Sequence, residues 1–224
     1  MSEKMLVTQA LDERDLLVKK IGDKIGKIKL VDTKKRNEEK TVDSRVATEK
    51  IDGACCAMID GVFYKRYDAK KDKHGKMKLP PEGAIPCDDP DPVTGHWPHW
   101  VKVEEGNPAD RWFLDALHDT QSREESLPDA TYEAIGPHFQ SNPYHLTQDT
   151  LVRHGTVEVD LPDRSFDGIR RYLLSHRTEG IVFWKDGKPQ CKIKRKDFGL
   201  KWPCENEDIL MELLKDGMNR AAER

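Results

Sequence analysis

The chain has 224 residues, 35% of them charged and 36% hydrophobic, with a net charge of −3. This suits a soluble folded domain with a real core and excludes attraction to nucleic acid through overall charge. No run reaches the roughly 18 apolar residues of a membrane span and the N-terminus lacks an apolar signal core, so an intracellular protein, cytoplasmic or nuclear, is expected.

Residues 10–28 read as a helix, with Leu11, Leu17, Val18, Ile21 and Ile25 at helical spacing and Gly22 and Gly26 weakening its end. KIKLVDTKKRNEEKT then reads as a short strand and a polar loop. From Ala54 the period changes: ACCAMIDGVFYKRYD is two β-prone runs split by Asp60-Gly61, a tight hairpin signal. Residues 69–108 form a long irregular stretch rich in Pro, Gly and charge. Within it His96, His99 and Cys87 match no recurrent zinc spacing, so the aromatics of GHWPHW are read as packing a loop onto the body.

Asn107 and Pro108 form an N-cap and N1 pair opening the helix ADRWFLDALHD, with Trp112, Phe113, Ala116 and Leu117 on its apolar face. ATYEAIGPHF reads as a strand carrying Glu133, and GTVEVDL as another. SFDGIRRYLLSHR is an amphipathic helix with Phe166, Ile169, Leu173 and His176 in register. EGIVFW and PQCKIKRKDF are strands joined through the turn KDGK, and the tail EDILMELLKDGMNRAAER is helical, with Ile209, Leu210, Leu213 and Leu214 on one face. The hairpins favour antiparallel sheets in a mixed α and β fold. The five cysteines, Cys55, Cys56, Cys87, Cys191 and Cys204, form no C-x-x-C pair, which fits a reducing compartment. Basic residues cluster in KKIGDKIGKIKLVDTKKR, YKRYDAKKDKHGKMK and CKIKRKDFGLK, a pattern that makes either a local positive surface or solvated faces.

Four features carry chemistry, and they come in order: Lys50-Ile51-Asp52-Gly53, Tyr132-Glu133-x-x-Gly136, Glu179-Gly180-Ile181-Val182 and Lys192-Ile193-Lys194. Each alone has an ordinary reading, such as a solvated lysine, a surface ion pair or an exposed strand face. In this order they resemble the covalent nucleotidyltransferase superfamily of ATP-dependent ligases and capping enzymes, and Arg66 fits the family's additional arginine motif. TEKIDGACC, GHWPHWV, SNPYHL, LVRHG, EGIVFW and FGLKWP further resemble animal-type 5′-to-3′ RNA ligases. The resemblance implies an α+β adenylyltransferase domain, antiparallel sheets flanked by helices, spanning 1–224 as a single domain. Within it, 1–45 would be an N-terminal helix and basic segment and 205–224 a C-terminal helix. The 30 residues after Lys194 leave no room for an OB domain of roughly 70 or more residues.

The resemblance also implies roles. Lys50 would be the nucleophile toward ATP, attacking as the neutral amine that partial burial and nearby cations favour. Lys192 and Lys194, alternating on one strand, would act beside it on phosphate oxygens. Glu179 would hold Mg²⁺ (or Mn²⁺), and Glu133 would contact the ribose or a metal. Arg66 would bind the ribose or a 5′-phosphate, for which its planar fork suits. Thr48, Glu49, Ile51, Asp52 and Gly53 would line the nucleotide, Asp52 and Gly53 chiefly by shaping the turn. Phe139, Tyr144 and Phe166 are candidates to stack the purine, and His154 is either a substrate contact or a structural histidine. The implied substrate is RNA with 5′-phosphate and 3′-hydroxyl ends, handled by a monomer, in RNA repair or a related pathway. A DNA ligase, a capping-type enzyme and a catalytically silent nucleic-acid-binding relative are the alternatives.

Overall fold

In chain order the elements are β1 (Ala47–Glu49), β2 (Ala54–Ile59), β3 (Val62–Ala69), β4 (Ile85–Pro86), β5 (Trp97–Lys102), α1 (Arg111–Arg123), β6 (Ala130–Ile135), β7 (Thr150–Arg153), α2 (Phe166–Ser175), β8 (Gly180–Lys185) and β9 (Lys188–Lys194). The computed structural model describes residues 19–21, 23, 46–71, 75–123 and 127–213. Both sheets are antiparallel throughout, one of three strands ordered β1-β8-β9 and one of six ordered β4-β5-β3-β2-β6-β7, so the fold is α+β as expected. Among the described residues no helix is long and apolar enough to cross a membrane. The chain gathers into two units: Met1–Lys50 with Val157–Arg224, and Ile51–Thr156.

The first unit is built on the β8–β9 hairpin. Asp186 and Gly187 turn it with φ of 51° and 69°, the left-handed pair that a two-residue hairpin requires. Ile181 and Phe183 of β8 and Ile193 of β9 are buried on one face, where Ile169 and Leu173 of α2, Leu161 and Ile21 complete a core. Each such side chain contributes about 1.5–3 kcal/mol when taken from water, and together they fix the register of the sheet. Ser165 caps α2, its hydroxyl accepting from the Gly168 N–H at 3.0 Å. His176 lies one residue beyond the helix and is exposed, and Leu174 takes a buried place instead. Arg195, wholly buried, donates to the carbonyls of Leu173, His176 and Lys201 and pairs with Glu212 of the helical stretch 206–213. That stretch is helical as expected, but Leu210 and Leu213 are exposed rather than forming a buried face. Most of the expected helix 10–28, the strand in KIKLVDTKKRNEEKT and the tail from Leu214 lie outside the described residues; residues 19–21 and 23 are helical.

GTVEVDL does not form a strand. It makes one isolated bridge, Thr48 to Glu158, flanked by bonds from Glu49 N to Val157 O and from Val159 N to Ala47 O. β1 offers only three residues to pair with, and Pro162 cannot donate to a ladder.

The second unit opens on the β2–β3 hairpin. Asp60 and Gly61 have φ of 50° and 72°, and the Asp129 carboxylate accepts from both their N–H groups at 2.9 and 3.1 Å. One face of the sheet packs Cys56, Met58, Phe63, Tyr132, Ala134 and Leu151 against Trp112, Phe113, Ala116 and Leu117, the expected face of α1. Asn107 caps a 3-10 turn, Pro108–Asp110, that leads into α1. Buried Asp110 accepts from Lys65 on β3, from Glu104 N and from Asn107 Nδ2, tying the start of that helix to the sheet.

The stretch 69–108 is not irregular throughout. GHWPHWV supplies β5, which pairs with β3 from Tyr64 to Ala69 and buries His99. Pro98 cannot donate to a ladder, but its carbonyl still accepts from Cys87 N at 2.9 Å. β4, on that side, is only two residues long, so little pairing is forfeited.

Candidate active site

The first unit brings together three of the residues singled out for chemistry. β1 pairs with β8 through Thr48–Val182 and Glu49–Ile181, and Lys50 extends the ladder, its N–H donating to the Gly180 carbonyl at 2.8 Å. β9 pairs on the other side, with Lys194 opposite Gly180 and Lys192 opposite Val182. Lys50, Gly180 and Lys194 therefore form one row across three strands, with the residue lacking a side chain in the middle. A Cβ on Gly180 would run into the Ile193 carbonyl oxygen and stand 2.9 Å from Lys194 Cα, so β8 and β9 could not close to this distance with any other residue.

Glu179, immediately before that glycine, reaches both flanking amines. Its Oε2 accepts from Lys50 Nζ and its Oε1 from Lys194 Nζ at 2.6 Å. Glu179 is buried, 7% exposed as a residue, and its main chain is anchored by the bond from Arg195 N to Glu179 O at 2.8 Å. This is a carboxylate held between two cations in a poorly hydrated setting, where charge–charge interactions are stronger than at an open surface. Lys192 is exposed and lies on the same strand face as Lys194.

The strand leading to Lys50 is rigidly placed. Thr48 is wholly buried and its hydroxyl accepts from Trp184 Nε1 at 2.8 Å. Glu49 is half-buried; burial pushes its carboxyl above the ordinary range, offset in part by His176.

The second unit begins with the rest of the same motif. Asp52 N–H donates to the Tyr144 hydroxyl at 2.7 Å and Gly53 N–H to Glu133 Oε1 at 3.1 Å. A Cβ on Gly53 would collide with the Ala134 carbonyl oxygen and lie 2.7 Å from Ile135 Cγ2, which explains glycine after Asp52. Ile51 opens this unit and is half-buried. Glu133 is held on its other oxygen by His154 Nε2, 2.7 Å from Oε2, and His154 Nδ1 lies 2.9 Å from Thr131 Oγ1. Cys55 stands directly opposite Glu133 in the β2–β6 ladder.

Arg66 lies on β3, its Nε donating to Asp68 at 2.7 Å. Burial works against its charge, but the hydrogen bond and charge of Asp68 outweigh this and hold the guanidinium above its ordinary value. Of the three candidate aromatics, Phe139 is buried edge-on to Phe113 and Phe166 packs against Phe198 in the other core. Tyr144 is half-buried and belongs to neither core cluster.

Glu179 and the group formed by Cys55, Glu133 and His154 offer different donors. Glu179 is a hard oxygen ligand of the kind Mg²⁺ takes, one or two carboxylates being supplemented by water and substrate phosphates. The second group carries sulfur and imidazole and does not suit Mg²⁺. No sequence signal marks Cys55 or Arg195 as organising residues, because their partners are remote in the chain.

The family model for RNA ligase 1 matches residues 115–214, a span that contains Glu133, Glu179, Lys192 and Lys194. The chain is 25% identical over 226 positions to RNA ligase 1 of Danio rerio, covering 72% of this chain and 70% of that protein. It is 27% identical over 233 positions to RNA ligase 1 of Mus musculus, covering 74% and 71%. For RNA ligase 1 of Pongo abelii the identity is 24% over 224 positions, covering 71% and 69%. The resemblance to animal RNA ligases read from the motifs is thus matched by sequence similarity over nearly three quarters of the chain.

Proposed function

We propose that this chain, similar to RNA ligase 1 of animals, is an ATP-dependent RNA ligase acting through a covalent Lys50-AMP intermediate. The observation that carries the reading is the meeting of Lys50 and Lys194 on the buried carboxylate of Glu179, which joins three of the four ordered motif segments' elements in one row of a sheet. A solvated lysine has no reason to be placed beside a glycine that lets two strands close in.

In the first step the Lys50 amine, having lost a proton, attacks the α-phosphorus of ATP; the Nζ–P bond forms and pyrophosphate leaves with the electron pair of the broken P–O bond. That proton goes to solvent, and Glu179, in contact with Nζ, holds the amine in place. Lys194 and Lys192 bind phosphate oxygens and stabilise charge that grows in the transition state. In the second step an RNA 5′-phosphate oxygen displaces lysine from AMP. In the third a 3′-hydroxyl attacks the activated 5′-phosphate, AMP departs and the phosphodiester closes. Glu179 fits the role of ligand to Mg²⁺ or Mn²⁺, which when bound would neutralise charge on the phosphates. Thr48, Glu49, Ile51, Asp52 and Gly53 are assigned to nucleotide contacts, Arg66 to the ribose or a 5′-phosphate, and Glu133 to the ribose or a metal. Tyr144 is assigned to the purine, since Phe139 and Phe166 are committed to cores. Residues 1–224 are taken as one nucleotidyltransferase domain.

The test is sealing. RNA bearing a 5′-phosphate and a 3′-hydroxyl should be joined with ATP and Mg²⁺, while RNA with a 5′-hydroxyl should not. Sealing of DNA ends alone would make the chain a DNA ligase, and transfer from GTP alone a capping-type enzyme. RNA binding that leaves every type of end unjoined would point to a silent relative.

A further inference from the structure

Three strands of the second unit converge on a donor set of which the ligase reading uses only Glu133. Cys55 on β2 and Glu133 on β6 are cross-strand partners, and Glu133 pairs in turn with Val152 on β7, two residues before His154. The Cys55 sulfur, one carboxylate oxygen and one imidazole nitrogen all lie within 4.8 Å of one another. The geometry points to a transition-metal site at Cys55, Glu133 and His154, taking Zn²⁺ or an ion of similar softness with a fourth position open.

The chemistry of the donors selects the ion. Sulfur, imidazole and one carboxylate are ligands of zinc at about 2.0–2.3 Å, and three protein ligands with an open fourth position are what zinc takes where it is not purely structural. Ligand atoms around a tetrahedral ion of that size stand about 3.3–3.8 Å apart, so the hydrogen bond between His154 and Glu133 opens as the ion enters. Each donor also has its own support. Thr131 Oγ1 engages His154 Nδ1 at 2.9 Å, which leaves Nε2 turned toward the ion, and Gly53 N–H holds Glu133 Oε1 at 3.1 Å, which leaves Oε2. Such outer partners commonly orient metal ligands and set the tautomer of a histidine. Arg66 contacts the Cys55 thiol and favours its ionised form.

Binding displaces one proton: the thiol becomes a thiolate bonded to the metal and its proton goes to solvent. Burial, reinforced by Glu133, pushes that thiol up to about 12, so the metal must supply the driving force, as coordinated thiols are deprotonated outright. The inference stands on the second unit's own residues and does not depend on ligase activity.

Co²⁺ serves as the probe because a bound thiolate gives it an intense near-ultraviolet charge-transfer band. Titration of the full-length protein should produce that band with one ion per chain, and added Zn²⁺ should abolish it. Cys55→Ser should remove the band and His154→Ala weaken binding by about tenfold or more, while Thr131→Val, which touches only the outer partner, should weaken it by about tenfold. Cys191→Ser, in the first unit, should leave the titration unchanged. A folded wild-type protein that shows no thiolate band at millimolar Co²⁺, or a band that persists in Cys55→Ser, would overturn the assignment without reliance on any variant's stability.

Discussion

Lys50→Ala is expected to bring the formation of protein-bound AMP to background, a loss of at least about a thousandfold, because no remaining group can form the same bond. The readout is protein-bound radioactivity after incubation with ATP labelled at the α-phosphate. The alanine variant also removes one of the two cations on Glu179, so a second variant separates chemistry from structure. Lys50→Arg keeps a positive charge in reach of the carboxylate but offers no amine that loses its proton at neutral pH. It should fold with an unchanged thermal midpoint and still carry no label. An arginine variant that accepts AMP at the wild-type rate would show that the nucleophile lies elsewhere.

Glu179→Ala should lower the rate of AMP transfer about a hundredfold to a thousandfold, in the range seen when one preorganised electrostatic partner is removed from an active site. It takes the carboxylate from both Lys50 and Lys194 and leaves two partly buried amines to repel one another. The fold should lose about 2 kcal/mol, between the small worth of an exposed pair and the larger cost of stripping a buried one. Glu179→Gln preserves shape and one acceptor oxygen but not the charge, so it should recover most of the stability and little of the rate. Single-turnover kinetics and thermal melting measure the two effects separately. A rate within about twofold of wild type in the alanine variant would remove Glu179 from the mechanism.

The candidate site was legible where chemistry is local. Asp60-Gly61 and Asp186-Gly187 announce hairpins because only certain residues tolerate positive φ, and both turns are present. Glu179-Gly180 carries its meaning in two adjacent residues, one a carboxylate and the other the absence of a side chain where Lys194 approaches. What was not legible depends on partners far away in sequence. β5 was hidden by Pro98 and by the histidines and tryptophans around it, and only its pairing with β3 reveals a strand. GTVEVDL alternates as a strand should, yet β1 gives it too short a partner. The buried place of Arg195 could not be read from KIKRKD, because its four partners come from three separate segments. The fastening of Glu133 by Gly53 and His154 is likewise a product of strand order rather than of any motif.

The most direct test of the central claim is peptide mapping by mass spectrometry of the wild-type protein after brief incubation with ATP and Mg²⁺. The account predicts a single AMP adduct on the lysine of the peptide spanning Thr48 to Gly53, labile to acid and stable to alkali as a phosphoramidate is. An adduct on any other residue, or a chain that seals RNA with no adduct on Lys50 at any time point, would contradict it.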